Sequence, residues 1–144
     1  KLKNKSNINM NIQELNNKII IKTGLFGLLV GVVTLFGWSQ ITLPLIYVIM
    51  IIFTIFYLKE NLKDEILVHC VIIGFTWGLD WSIVQLLFFD TFYSNNLEFL
   101  SQLMSIESIN LKFLLILTGI LTGLASAFCL YIPIYLVNRF RKGI

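Results

Sequence analysis

The sequence predicts an all-α membrane protein with four transmembrane helices and a short interfacial helix before the last span. Of its 144 residues, 57% are hydrophobic and only 13% are charged, whereas soluble domains carry about 25% charged residues. Four long apolar runs suit helices that cross a bilayer, which take about 20 residues each. We therefore expect a single transmembrane domain, with spans at about 19–38, 43–58, 66–89 and 111–137.

Residues 1–18 form a basic N-terminal segment that is rich in Lys and Asn. Ile12, Leu15 and Ile19 recur at helical spacing, which is typical of a short interfacial helix. A solvated basic tail is an equal alternative.

The first two spans are joined by a short uncharged turn, which predicts an antiparallel hairpin. Gly27 and Gly31 form a GxxxG pair in the first span, a pattern typical of close helix packing. The second span begins with Pro44 in its first helical turn, where the missing N–H costs nothing. Because this span is rich in Ile and Phe and has no charge, we expect it to face lipid or the core and to carry no functional side chain.

The third span carries one acidic residue, Asp80, between Trp77 and Trp81. A carboxylate at that depth costs roughly 2.5–3.5 kcal/mol, so it needs a partner, water or a proton. Three interpretations stay open: a protonatable site in a transporter, a polar contact with a partner subunit, or an acid kept neutral by burial. No Lys or Arg lies at matching depth in the chain, which favours an oligomer or a complex.

Two faces of the third span differ in character. At about 100° per residue, one line of the helix is polar and another carries small residues four apart. Small residues at this spacing let another helix approach closely, so we expect the third span in the middle of the bundle. The polar residues are Asp80, His69 and Thr76, with Gln85 near the small face, and the packing residues are Gly74, Gly78 and Ser82. His69 lies near the end of the span, where we expect an interfacial residue rather than a member of a proton relay.

Residues 97–110 have leucines at helical spacing and predict a short amphipathic helix in the membrane interface. The last span carries a second row of small residues, Gly119, Gly123 and Ala127, that predicts helix packing. Pro133 should kink this helix near its end.

The positive charges predict an orientation. Five Lys residues lie within the first 22 residues, two lie in the central loop and three Lys or Arg follow the last span, against Lys112 alone on the other side. Because positive residues face the cytoplasm, we expect both termini and the central loop to be cytoplasmic.

The stretch GFTWGLDWSIVQLLFF, at residues 74–89 after a charged loop, resembles the third helix of small prokaryotic four-span membrane proteins of unknown function. Those proteins carry a G-x-x-x-G-L motif with a Leu-Asp pair several residues later, whereas here Asp80 directly follows Gly78 and Leu79. The resemblance implies four helices and a prokaryotic cytoplasmic membrane, and it implies nothing about activity.

No motif for a nucleophile, a phosphate loop or a metal set is present, so we expect no enzyme activity and no cofactor. One His makes a metal centre unexpected, and Cys70 and Cys129 are expected to pack as small apolar residues. Expected partners are the lipid bilayer and other membrane subunits or a second copy, not nucleic acid.

The favoured function is a non-enzymatic subunit that packs into a larger membrane complex, because small-residue rows on three spans exceed what one bundle needs. The alternative is a homo-oligomeric proton- or cation-coupled transporter or channel that uses Asp80.

Overall fold

A computed structural model describes residues 17–37, 42–62, 65–104 and 110–142. The described residues are almost entirely helical, and four helices are long and apolar enough to cross a membrane. The predicted fold class is therefore confirmed, and the chain is a multi-pass membrane protein. The helices are α1 (Asn17–Leu35), α2 (Thr42–Asn61), α3 (Ile66–Leu87), α4 (Phe89–Asn95), α5 (Leu97–Met104) and α6 (Leu111–Lys142).

Two spans end earlier than the apolar runs indicate. Helix α1 ends at Leu35 rather than at residue 38, and Gly37 then takes a left-handed φ of 76°, which glycine adopts without steric cost. Helix α3 ends at Leu87 rather than at residue 89, and after Phe88 the chain continues as the separate helix α4. The polar residues after position 89, expected only to end the third span, are thus themselves helical.

The other two spans run beyond their apolar cores. Helix α2 reaches Asn61 and α6 reaches Lys142, because Lys, Arg and Glu are good helix formers that continue a helix into water. Pro133 lies inside α6, and the helix is continuous through it. At 32 residues α6 is about 48 Å long, well beyond the ~30 Å hydrocarbon core, so part of it projects from the bilayer.

Helix α3 occupies the middle of the arrangement, as its two faces predict. It packs along α1 on one side and along α6 on the other, and these are the two most extensive helix contacts. Helix α2 contacts α1 and α6 less extensively. Only Met50, Thr54 and Leu58 of α2 are buried, so most of this helix faces the lipid.

The core has two parts. The larger one centres on Trp77 and Ile73 of α3 with Leu130 and Ile134 of α6. A smaller one lies where α4 and α5 cover the end of the bundle, and it contains Leu35, Val84, Phe92, Leu100 and Leu115. Burial of Leu100 shows that α5 is held against the bundle by its apolar side. The proposed interfacial helix before the first span, and positions 38 and 105–109, lie outside the described residues.

Candidate functional site

The contact between α3 and α6 is made through backbone atoms. A Cβ atom on Gly74 would lie 2.5 Å from the carbonyl oxygen of Gly123, and one on Gly78 would overlap the carbonyl oxygen of Gly119. Such approaches are closer than carbon atoms tolerate, so these positions require glycine. Ala127 packs against Gly74, which continues the same row.

A side-chain hydrogen bond reinforces this contact one turn along. The Ser82 hydroxyl is buried and donates to the carbonyl oxygen of Leu115 at 2.9 Å. A hydroxyl that satisfies a backbone carbonyl of the neighbouring helix stabilises packing where water is absent.

Glycines also form the contact between α1 and α3. A Cβ atom on Gly27 would lie 2.7 Å from Cα of Trp77, and one on Gly31 would lie 2.8 Å from Cβ of Val84. The small-residue row of α3 therefore faces that of α6, whereas Gly27 and Gly31 of α1 face the larger residues Trp77 and Val84 of α3. Each row has a contact within the chain, so the rows by themselves do not argue for a partner.

Asp80 lies at the edge of the α1–α3 contact. Its Cβ is 3.0 Å from the position of a Cβ on Gly27, and its Oδ2 is 4.0 Å from that of a Cβ on Gly24. The residue is half-buried, and its α3 neighbours Leu79 and Ile83 are exposed. The carboxylate thus sits beside the bare backbone of α1 and remains accessible from the outside of the bundle.

Two hydrogen-bond donors of α3 close to Asp80 in sequence, those of Thr76 and Trp77, are already engaged. The Thr76 hydroxyl, one turn before it, donates to the carbonyl oxygen of Ile72 at 2.8 Å. The Trp77 indole N–H donates to the carbonyl oxygen of Thr23 at 2.7 Å. Asp80 itself forms no hydrogen bond or ion pair with any residue in the described part of the chain.

Lys22 does not serve as its counter-ion. Lys22 is exposed and precedes Gly24 by two residues, which places it about 200° around α1 from the glycine beside the carboxylate. Lys22 therefore projects away from Asp80.

The remaining predicted polar residues are held separately. His69 is buried near the start of α3, and its Nδ1 lies 3.0 Å from the carbonyl oxygen of Glu65, to which it donates. Gln85 is also buried, and its amide donates at 3.2 Å to the hydroxyl of Thr34 on α1. The structure therefore brings only Thr76 and Asp80 together, both beside Gly24, and it does not join the four polar residues into one site.

Two polar features were missed from the sequence. Tyr47 of α2 and Ser126 of α6 are hydrogen-bonded, and because Ser126 can donate to the carbonyl oxygen of Thr122, the Tyr47 hydroxyl is the donor between the helices. The buried Thr54 hydroxyl and the Trp81 indole N–H have no hydrogen-bond partner among the residues that the structure describes.

The C-terminal end of α1 is capped by Asn95 of α4 and by Asn96, which directly follows α4. The Asn96 amide donates to the carbonyl oxygen of Thr34 at 2.9 Å, and the Asn95 amide donates to that of Leu35 at 2.7 Å. The last carbonyls of a helix have no partner within it, so these side chains add donors there, and the Gly37 N–H also donates to the Thr34 carbonyl oxygen.

No family model, curated protein or solved structure matches this chain. The resemblance of residues 74–89 to small four-span membrane proteins stays a prediction. Within the described residues, no three His, Cys, Asp or Glu side chains are grouped so that they could hold a metal ion.

Proposed function

We propose that this chain is a non-enzymatic membrane subunit that binds another membrane protein through the surface around Asp80. We call this surface the Asp80 face and define it as Gly24 and Leu28 of α1 with Thr76, Asp80 and Ile83 of α3. Leu28 lies one turn beyond Gly24, and Ile83 lies one turn beyond Asp80, so each shares the face of its neighbour. Both are exposed.

The observation that carries the proposal is the half-buried carboxylate of Asp80 with no partner in the described chain. Leaving such a group against lipid costs roughly 2.5–3.5 kcal/mol. A second protein that supplies hydrogen-bond donors at this depth recovers that free energy, and lipid tails cannot.

The rigidity of the surroundings supports the same function. Helix α3 is fixed on one side by Gly74 and Gly78 and on the other by its contact with Gly27 and Gly31. Backbone contacts of this kind leave little freedom for α3 to shift. The Asp80 face is thus organised before a partner arrives, which lowers the entropic cost of binding.

Native mass measurement after gentle detergent extraction from the natural membrane tests the proposal. We expect a complex that contains a second type of membrane protein. Ile83→Trp places a bulky side chain on the Asp80 face and should release the partner. Leu121→Trp, on the exposed surface of α6, is the matched control and should leave the complex intact. A monomeric parent chain, or equal retention of the partner in both variants, would contradict the proposal.

A second candidate is a homo-oligomeric proton or cation transporter. It is favoured by the Thr54 hydroxyl and the Trp81 indole N–H, because buried polar atoms without protein partners are commonly bonded to internal water. Asp80 lies at the outer edge of the bundle, so a path through it would run between copies. A homo-oligomer in the native mass measurement, with pH-dependent flux in vesicles that Asp80→Asn abolishes, would favour this candidate.

A further inference from the structure

We infer that the Asp80 face receives a transmembrane helix of a different protein that carries a Lys or Arg side chain at the depth of Asp80. This inference rests on the proposed function and names the chemistry of the partner. It is argued from three features of the surface: the unused carboxylate, the space beside it, and the residues that a second copy could offer.

The Asp80 carboxylate accepts no hydrogen bond from the described chain, although the hydroxyl of Thr76 is close to it in sequence. Thr76 lies one turn away and gives its proton to the backbone carbonyl of Ile72. Hydrogen bonds between an ammonium or guanidinium group and a carboxylate are roughly twice as strong as neutral ones. A cation is therefore the partner that compensates the charge of Asp80 as well as its hydrogen-bonding capacity.

The open side of the carboxylate suits a long side chain. Its α1 side is closed, because Gly24 is buried and a Cβ added there would lie 3.0 Å from a methyl carbon of Thr76 and 4.0 Å from Oδ2 of Asp80. The exposed side chains of Leu28 and Ile83 lie on the outer side, so the stem of a Lys or Arg can pass beside them and bring its charged group to the carboxylate. This stem is apolar and is itself compatible with the lipid-facing surroundings.

A second copy of the chain does not offer this cation. Copies related by rotation about the membrane normal place equal residues at equal depth, so Asp80 would meet only residues of its own level. That level is marked by Gly27 on α1 and by Gly119 on α6, which contact Trp77 and Gly78 of α3. A symmetric contact through this face would also bring two Asp80 carboxylates together, which is unfavourable when both are charged.

Binding of defined peptides in vesicles tests the inference. The probes are Leu- and Ala-based transmembrane peptides with a central Arg, a central Ser or a central Leu. Each is labelled for energy transfer to the labelled protein in phosphatidylcholine vesicles. We expect the Arg peptide to bind at least about tenfold more tightly than the Leu peptide, as expected when an ion pair forms away from water.

Substitutions of Asp80 supply the controls. In Asp80→Asn the preference for the Arg peptide should fall to about twofold or less, since the amide keeps the shape and loses the charge. Exchanging the charges between protein and peptide separates a lost contact from a folding defect, because a misfolded protein would not gain binding. Asp80→Lys should bind a peptide with a central Asp more tightly than the parent protein does.

Three outcomes would overturn the inference. They are equal binding of the Arg and Ser peptides, undiminished preference for Arg in Asp80→Asn, and energy transfer between two copies of the protein that depends on Asp80. The first outcome, with binding still blocked by Ile83→Trp, would leave the proposed function standing. A native complex that persists in Ile83→Trp would refute the proposed function itself.

Discussion

At the scale of single residues, the glycines of the three rows differ in what an added methyl group would meet. On Gly78 it would overlap the carbonyl oxygen of Gly119. On Gly123 its nearest contact is the carbonyl oxygen of Gly74 at 2.9 Å, and on Gly24 it is a methyl group of Thr76 at 3.0 Å. A backbone atom cannot move aside easily, whereas a side chain can turn.

We therefore expect a graded response to alanine. Gly78→Ala should destabilise the protein by about 1–3 kcal/mol, as overpacking does. Gly123→Ala should cost less, and Gly24→Ala should be close to neutral because alanine favours the helix by roughly 1 kcal/mol. Unfolding in mixed micelles with increasing denaturing detergent measures this order. Equal stability of Gly78→Ala and Gly24→Ala would show that α3 and α6 are further apart than described.

Sequence reasoning identified Asp80, Gln85 and the glycine rows because each stands out against an apolar background on its own helix. It did not identify the hydrogen bond between Tyr47 and Ser126. Spacing along one helix defines a face, but the relative rotation of two helices decides which faces meet. The same limit applies to the small-residue rows, whose spacing predicts helix packing but does not predict that the row of α3 meets that of α6.

At the scale of helices, the cap on α1 is the element that the sequence did not reveal. No Pro or Gly marks the break at Phe88, and the apolar run continues through it. The spans themselves were predictable because their apolar length is fixed by the bilayer. The change of direction into α4 depends instead on the carbonyls of α1, which are distant in sequence.

Removal of the cap should loosen the C-terminal end of α1. Asn96→Ala removes the hydrogen bonds from the buried Asn96 amide to the carbonyl oxygens of Thr34 and Phe92, although Thr34 keeps its bond from the Gly37 N–H. At about 0.5–1.5 kcal/mol for each bond, we expect a loss of about 1–3 kcal/mol with faster amide hydrogen exchange near the end of α1. Asn61→Ala is the matched control, because that exposed amide bonds only within its own helix, to Tyr57. Its effect should stay within about 0.5 kcal/mol. Equal losses in the two variants would contradict a specific capping role.

At the scale of the whole molecule, the orientation in the membrane follows from charge. Ten Lys and Arg residues lie on the proposed cytoplasmic side and one on the other. We expect Ser94→Cys to react with an impermeant maleimide on intact cells, and Lys59→Cys to react only after permeabilisation. Both positions are exposed, and a Cys129→Ala background removes the exposed native thiol. The reverse pattern of labelling would show that the orientation in the membrane is opposite to the predicted one.

The central position of α3 between α1 and α6 also determines the order in which the helices can pack during synthesis. During synthesis α1 is already in the membrane when α3 emerges, so this pair can form at once. The covering residues Gly119 and Gly123 follow Leu87, the end of α3, by about 32 and 36 residues, which takes roughly 2–7 s at the usual rates of translation. Throughout that interval the Gly74 and Gly78 face has no covering helix of its own chain. A nascent chain paused there would present bare glycine backbone to any neighbouring helix, so the arrival of α6 ends a period of exposure to wrong partners.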